Sequence, residues 1–469
     1  MNELLGPDRA FEVLGRLVTE RDDAVFDARL DSRVESFVRF GCNTVLQATR
    51  VRVPKVTVRA VVDGYVAQAS ATSMDMAVLR GVRDRALALA RAGKSALAPE
   101  PPGRADPGGP LVCLRDDAWD EATAVASAAE PADRLAASFR EAERAGVVLA
   151  GRYVTGFVER AVVSSTGVRR YTRGSRAECR VFATDGVLSG MDGSLGVATG
   201  RLALGSYVET AIDKCVRSRR PVSFAPGRYD VILEPAAVAE LLEWMGQIAF
   251  TPRSVEDGTS FVAGRLGQAV TGARVTVIDD GSAPGGLGLY NPFDAEGALR
   301  ERVVLLERGV ARGVVYDSAS ARRAGCASTG HAVSPDDSPG GGAAAANLAL
   351  DGGDDTVADL LARVERGLWV TSFHYVNGLL EPRRAVMTGL TRHGTFRIDD
   401  GRLGPGVHNL RFTDSILEAL GRVDGLTAAR SVVPTWWSSL GACVAPTVLI
   451  RGLEFTGTTE EAAPRPDHP

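Results

Sequence analysis

The sequence predicts an α+β protein: N-terminal α/β units followed by a large β-rich C-terminal domain, built as a mixed sheet or barrel-like. Three observations predict this. Up to about residue 222, helical-period segments alternate with runs of β-branched residues. A Pro/Gly-rich stretch, "SALAPEPPGRADPGGP", interrupts them. Beyond residue 222, short β runs separated by Gly-Asp turns predominate. A chain of 469 residues is long enough for two or three domains with substantial cores.

In chain order, Phe11, Leu14, Leu17 and Val18 share one helical face, so the first segment is an amphipathic helix. "ESFVRF", "NTVLQATRVRV" and "VTVRAVVDGYVAQAS" read as strands between Gly and Asn turns, and Ser73 can cap a helix ending near Ala92 before Gly93. These form an α+β unit over 1–94. Residues 95–110 are a linker or long loop. A second α+β unit fills 111–222: a helical stretch over 117–145 interrupted at Pro131, strands in "VVLAGRYVTGFVERAVVSSTG" and "AECRVFATDG", and a helix from Ser206 to Arg217. The third region, 223–457, carries "RYDVIL", "ARVTVIDDG", "RVVLLERGVARGVVYD", "GTFRIDDGRL" and "TVLIRGLEF". Within it, Ser334 to Asn347 reads as a flexible excursion, and 458–469 as a disordered tail.

Composition excludes several classes. A 45% hydrophobic, 24% charged chain with net charge −4 has no basic footprint for nucleic acid. The cations are nearly all arginine; the lysines are Lys55, Lys94 and Lys214. Six scattered cysteines without a CxxC pair suggest reduced thiols, not a disulfide framework. The N-terminus lacks a signal-like apolar core, and no apolar run of about 18 residues occurs, so the expectation is a cytoplasmic protein with no membrane partner.

Candidate chemistry is sparse. The five histidines, His331, His374, His393, His408 and His468, include no pair spaced to grip a metal from one helix face. Asp279, Asp280, Asp294 and Glu296 fall close together and could do acid–base work or bind a cation, although acidic residues beside Gly commonly cap turns. "GSAPGGLG", Gly281 to Gly288, follows a strand but leads into no helix, so a phosphate-cradling loop fails its context. Cys443 precedes a strand, where a small buried thiol is usual. In "YDVILEPAAVAELLEWMGQ" a strand delivers the chain into a helix: Pro235 suits the first helical position, and Glu234 the helix's positive end.

The blocks "PGRYDVILEPAAVAELL", "SFVAGRLGQAV", "VTVIDDG", "FDAEGALRERVVLLERGVARGVVYDSASARRAG" and "STGHA", in that order, resemble the TldD/PmbA (TldD/TldE) family. "VRFGCNTVLQ", "MTGLTRHGTFRIDDGRL" and "HNLRFTDS" extend the resemblance from about residue 12 to 457. The resemblance implies a peptidase system in which TldD-type members bind zinc through HExxxH on the helix after the strand matching "YDVIL", with a further Cys ligand near the C-terminus. TldE/PmbA-type partners lack that metal site. Here the motif's two His positions fall at Glu234 and Ala239 and its Glu at Pro235, and Cys443 is the only late cysteine. The chain is therefore similar to the non-metal subunit: no cofactor of its own, zinc in a TldD-like HExxxH partner, a heterodimer, and peptide as substrate. Asp294, Glu296, His331, His374 and Cys443 are the cavity candidates. The alternatives are a stand-alone hydrolase or tailoring enzyme with a remodelled site, and a homo-oligomeric binding protein.

Overall fold

The computed structural model describes residues 4–93, 110–283, 288–334, 342–434 and 441–459. Most of the expected 95–110 linker, part of the Ser334–Asn347 excursion and nearly all of the 458–469 tail lie outside the described residues.

The N-terminal half is one seven-stranded sheet. Its strands are β1 (Val25–Gly41), β2 (Thr44–Val62), β3 (Tyr65–Ala71), β4 (Pro110–Cys113), β5 (Val148–Ser164), β6 (Arg169–Thr184) and β7 (Ser189–Gly196), in the order β3-β2-β1-β5-β6-β4 with β7 on β6. The segments 1–94 and 111–222, which read as two units in the sequence, thus share a single sheet, because β1 and β5 pair from Asp27↔Ser164 to Phe40↔Gly151. Pairing between strands more than 100 residues apart leaves no local trace in either segment.

β1 shows why the sheet has two different faces. Phe26, Ala28, Leu30, Val34 and Val38 are buried, and they alternate with Asp27, Arg29, Asp31, Arg33 and Glu35. The apolar face is covered by helices. α1 (Pro7–Thr19) and α2 (Met76–Ala92) pack on one end, and α3 (Glu121–Val125), α4 (Ala129–Ala145) and α5 (Leu204–Arg217) cover the middle and the other end. The charged face meets the C-terminal half through buried polar contacts: Arg59 Nη1 lies 3.2 Å from Glu296 Oε1, and Arg160 donates to Asn291 and to the Phe293 carbonyl.

Three local readings are refined. α2 is capped by Asp75, whose Oδ1 accepts from the N–H groups of Ala77 and Val78, while Ser73 only supports Asp75. Pro131 does not interrupt a helix. It sits in the first turn of α4, where backbone N–H groups have no intrahelical partner, and the break falls at Ala126–Ala128 instead. α5 begins at Leu204, two residues before the expected start.

The C-terminal half holds an eleven-stranded mixed sheet. It contains β8 (Gly227–Leu233), β9 (Val277–Asp279), β10 (Val303–Glu307) and β11 (Val310–Ala311). A separate small pair, β12 (Ala332–Val333) and β13 (Gly342–Ala343), intervenes. The large sheet continues with β14 (Leu348–Leu350), β15 (Arg366–Glu381), β16 (Val386–Asp399), β17 (Arg402–Gly406), β18 (Leu410–Ser415), β19 (Val423–Pro434) and β20 (Ala442–Thr458). β8 pairs with β15 in parallel and with β20 antiparallel, so the path β20-β18-β16-β15-β8 returns on itself as a ring. The α+β class and the large mixed C-terminal sheet are as the sequence predicts. α6 (Pro235–Ala249) packs on this sheet, and Ala237, Val238, Leu241, Leu242, Met245 and Ile248 join its largest core cluster. A helix apolar on nearly every side belongs in a core.

Candidate functional site

The junction of β8 and α6 is where the resemblance locates metal ligands, and it is built as an ion pair between a buried lysine and a partly buried glutamate. Glu234 is the N-cap residue of α6, with extended backbone (φ −66°, ψ 161°), but its carboxylate does not cap the helix. Oε1 accepts from Trp369 Nε1 at 2.5 Å and from Thr371 Oγ1 at 2.9 Å. Oε2 accepts from Lys214 Nζ at 2.8 Å, and the ammonium also donates to the Met191 carbonyl at 3.2 Å. Both carboxylate oxygens are therefore engaged by donors from β15 and α5.

The approach of α5 to β7 makes this possible. A Cβ on Gly190 would lie 2.1 Å from the Ala211 carbonyl oxygen and 2.7 Å from Lys214 Cβ, so only glycine lets the helix lie this close to the strand. Asp192, two residues along β7, also feels Lys214; burial lifts its carboxyl above the ordinary range, against the ammonium's pull.

Zinc does not fit these residues. Pro235 has no donor and Ala239 is a buried core methyl. Cys443, on β20 opposite Val433, is fully buried; burial, and then the charge of Glu243, pushes its thiol well up, away from the thiolate a metal needs. No histidine in the sequence is followed by glutamate, so HExxxH occurs nowhere. Among the described residues no three His, Cys, Asp or Glu side chains stand together as a metal site.

The other candidates separate into two places. Asp294, Glu296 and His331 come together at the seam between the halves, joined by Asp279. His331 is buried, with Nε2 3.0 Å from Asp279 Oδ1 and Nδ1 2.7 Å from the Thr329 carbonyl. Asp279 Oδ2 accepts from the N–H groups of Ala346 and Asn347. Burial raises the Asp279 carboxyl, but His331, Arg300 and the Asn347 N–H outweigh it and hold it at about 2. Asp294 accepts backbone N–H bonds from Glu296, Ala298 and Ala332; burial, and then Glu296, still lift it to about 7. Glu296 bridges Arg59 and the Ser318 N–H. Backbone N–H groups and neighbouring side chains engage these carboxylates and the imidazole, so the cluster ties loops together.

His374 stands apart, on the wall of a cavity of about 370 Å³ between the β6–β7 turn and the β15–β16 ladder. His393, which no sequence pattern places there, lines the same cavity, and its ring Nδ1 lies 2.9 Å from Ser189 Oγ. Burial, then the nearby Arg392, His374, Arg180 and Lys214, push His393 down to about 3. The imidazole is neutral and a very weak base, so the Ser189–His393 pair is a hydrogen-bonded wall, not a nucleophile with its base.

The pH dependence follows. A histidine at 6.5 when unfolded and about 3 when folded takes up a proton on unfolding below pH 6.5. Stability is therefore lost as pH falls from 6.5 toward 3. Relative to His393→Gln, the parent chain is expected to lose about 1.4 kcal/mol per pH unit between pH 6 and 4 in denaturant titrations. Parallel pH profiles for the two chains contradict this assignment.

Lys214, Arg392 and Ser189 were not singled out by pattern. The scarcity of lysine in an arginine-rich chain is the one signal that could have marked Lys214.

The chain joins a ring-closed mixed sheet and its apolar helix to a helix-covered N-terminal sheet. Residues 226–457 match the PmbA/TldA metallopeptidase C-terminal domain, and this domain belongs to the PmbA/TldD-type metallopeptidase family. A metalloprotease of Methanothermobacter thermautotrophicus is 27% identical over 216 residues, 46% of each chain. An uncharacterized protein of Methanocaldococcus jannaschii is 35% identical over 104 residues, 22% of this chain and 24% of that one. The matches span about half or less of these curated relatives. Among solved structures, TldE from Thermococcus kodakarensis superposes with a TM-score of 0.82 at 19% identity, covering 96% of this chain and 100% of that one. A putative modulator of a DNA gyrase from Thermotoga maritima gives 0.75 at 18% identity, covering 95% and 99%. At these identities the structures share the fold. Among the described residues no helix is long and apolar enough to cross a membrane.

Proposed function

We propose that this chain is the metal-free, TldE-like subunit of a two-subunit peptidase, and that it completes the peptide cavity of a zinc-bearing TldD-like partner. The observation that carries this reading is the β8–α6 junction. Its buried positive charge is the ammonium of Lys214, held by Glu234, and Pro235 and Ala239 beside it supply no ligand. A side chain fixed by three donors is a structural element, and it leaves hydrolysis to a partner's metal. The substrate is a peptide, processed in proteolysis or in maturation of a peptide product.

Co-expression with an HExxxH homologue from the same genome tests the reading. The two chains are expected to co-elute in size-exclusion chromatography, with zinc bound at one per heterodimer and peptidase activity that neither chain shows alone. Separate elution with unchanged activity of the partner overturns it.

A further inference from the structure

The cavity beside the β8–α6 junction has a charge pattern that the ion pair does not use. Arg392 is the one charged group among the described residues of its wall, and no carboxylate lines it. Among the described residues the Arg392 guanidinium has neither an ion-pair partner nor a hydrogen bond; its backbone lies in the β15–β16 ladder opposite Ser372, whose Oγ donates to its carbonyl. On the same wall Thr395 is 2% exposed, and its buried Oγ1 finds no hydrogen-bond partner among the described residues. That oxygen has almost no accessible surface, so the unpaired guanidinium is the group on this wall that calls for a ligand with acceptor oxygens. The nearby arginines have the same sign: Arg392 and Arg180 both act against a proton on His393.

The rest of the wall fits an organic anion better than a bare inorganic one. Phe182, Leu390 and Val407 give apolar surface that a phosphate would not use. The volume, about 370 Å³, lies at the small end of ligand sites, which run from about 300 to 1,000 Å³. The cavity also borders the junction itself: a Cβ on Gly394, in its wall, would lie 2.9 Å from Thr371 Oγ1, the hydroxyl that donates to Glu234.

We propose that this cavity binds the C-terminal carboxylate of a peptide, with the Arg392 guanidinium gripping both carboxylate oxygens. The planar fork of arginine matches a carboxylate in bidentate fashion, which a lysine ammonium cannot do. The neutral His393, tied to Ser189, adds a polar wall without competing charge. This assignment rests on the peptide-cavity reading above and adds the part of the peptide that this chain would hold.

Titration calorimetry on the full chain tests it with three probes: N-acetyl-trialanine as the free acid, the same peptide as its C-terminal amide, and inorganic phosphate. The free acid is expected to bind at least tenfold more tightly than the amide, and phosphate more weakly than the acid. Arg392→Gln is expected to erase the preference for the acid, and Arg392→Lys to restore only part of it. Equal binding of acid and amide, no binding of the acid, tighter binding of phosphate, or a preference that survives Arg392→Gln overturns the proposal. The acid–amide comparison needs only the unaltered chain, so it decides even if a variant misfolds. It is independent of co-elution with a zinc-bearing partner: failure there removes the subunit reading and leaves the carboxylate result standing, and the converse also holds.

Discussion

Asp279→Ala is expected to destabilise the protein by about 4 kcal/mol, the largest loss for any single substitution considered. Three donors lose their acceptor at once: His331 Nε2 and the backbone N–H groups of Ala346 and Asn347. Both side chains of the pair are buried, so water does not replace the missing oxygens. The Arg300 guanidinium, 3.7 Å from Asp279 Oδ1 and itself buried, keeps its charge with no counter-ion there. Asp279→Asn retains one acceptor oxygen and the shape, and is expected to lose about half as much. The depressed carboxyl gives a second readout. A carboxylate at about 2 when folded and near 3.8 when unfolded contributes stability above pH 4 that is lost as pH falls toward 2. Chemical denaturation at pH 7 and pH 3 checks both: the gap between parent and Asp279→Asn is expected to narrow at the lower pH. A loss under 1 kcal/mol for Asp279→Ala contradicts the account.

Lys214→Met carries the second large effect, about 3 kcal/mol. It leaves the Glu234 carboxylate with Trp369 and Thr371 as donors but with no cation in a partly desolvated place. Glu234→Gln alone strands the ammonium in turn. The double variant is expected to be no less stable than the worse single one, because neither charge remains to be left alone; the coupling energy of the cycle is about 2 kcal/mol. Strict additivity of the two single losses would show that the pair does not interact. The cycle also bears on function. If Lys214 is the resident cation of the junction, the stability of Lys214→Met should not be restored by added zinc, since Pro235 and Ala239 supply no ligands.

Much of the fold was legible because it is written locally. The strand "RYDVIL", the following proline and the apolar spacing of α6 need only nearest-neighbour chemistry, and the structure places β8 at Gly227–Leu233 and α6 at Pro235–Ala249. Pro131 misled for a definable reason: proline breaks a helix in its interior but is harmless in the first turn, and which of these applies depends on where α4 begins. The site was legible only in what it lacks. Glu234 stood out as a residue that cannot replace an imidazole, but its partner Lys214 lies 20 residues earlier on another helix, and Trp369 lies 135 later. His393 looked like an ordinary histidine beside a glycine, and Arg392 like one arginine among many.

The sequence by itself determined the α+β class, the β-rich character of the C-terminal half and the absence of HExxxH, since each follows from residue type and short-range spacing. The tertiary structure alone decided three things: that 1–94 and 111–222 share one sheet, that Lys214 answers Glu234, and that His374, His393 and Arg392 line a cavity while Asp294, Glu296 and His331 tie a seam. The physical reason is common to all three. A charge finds its counter-ion, and a strand its neighbour, by distance in space, and the ring of β8, β15 and β20 brings together residues that periodicity cannot connect.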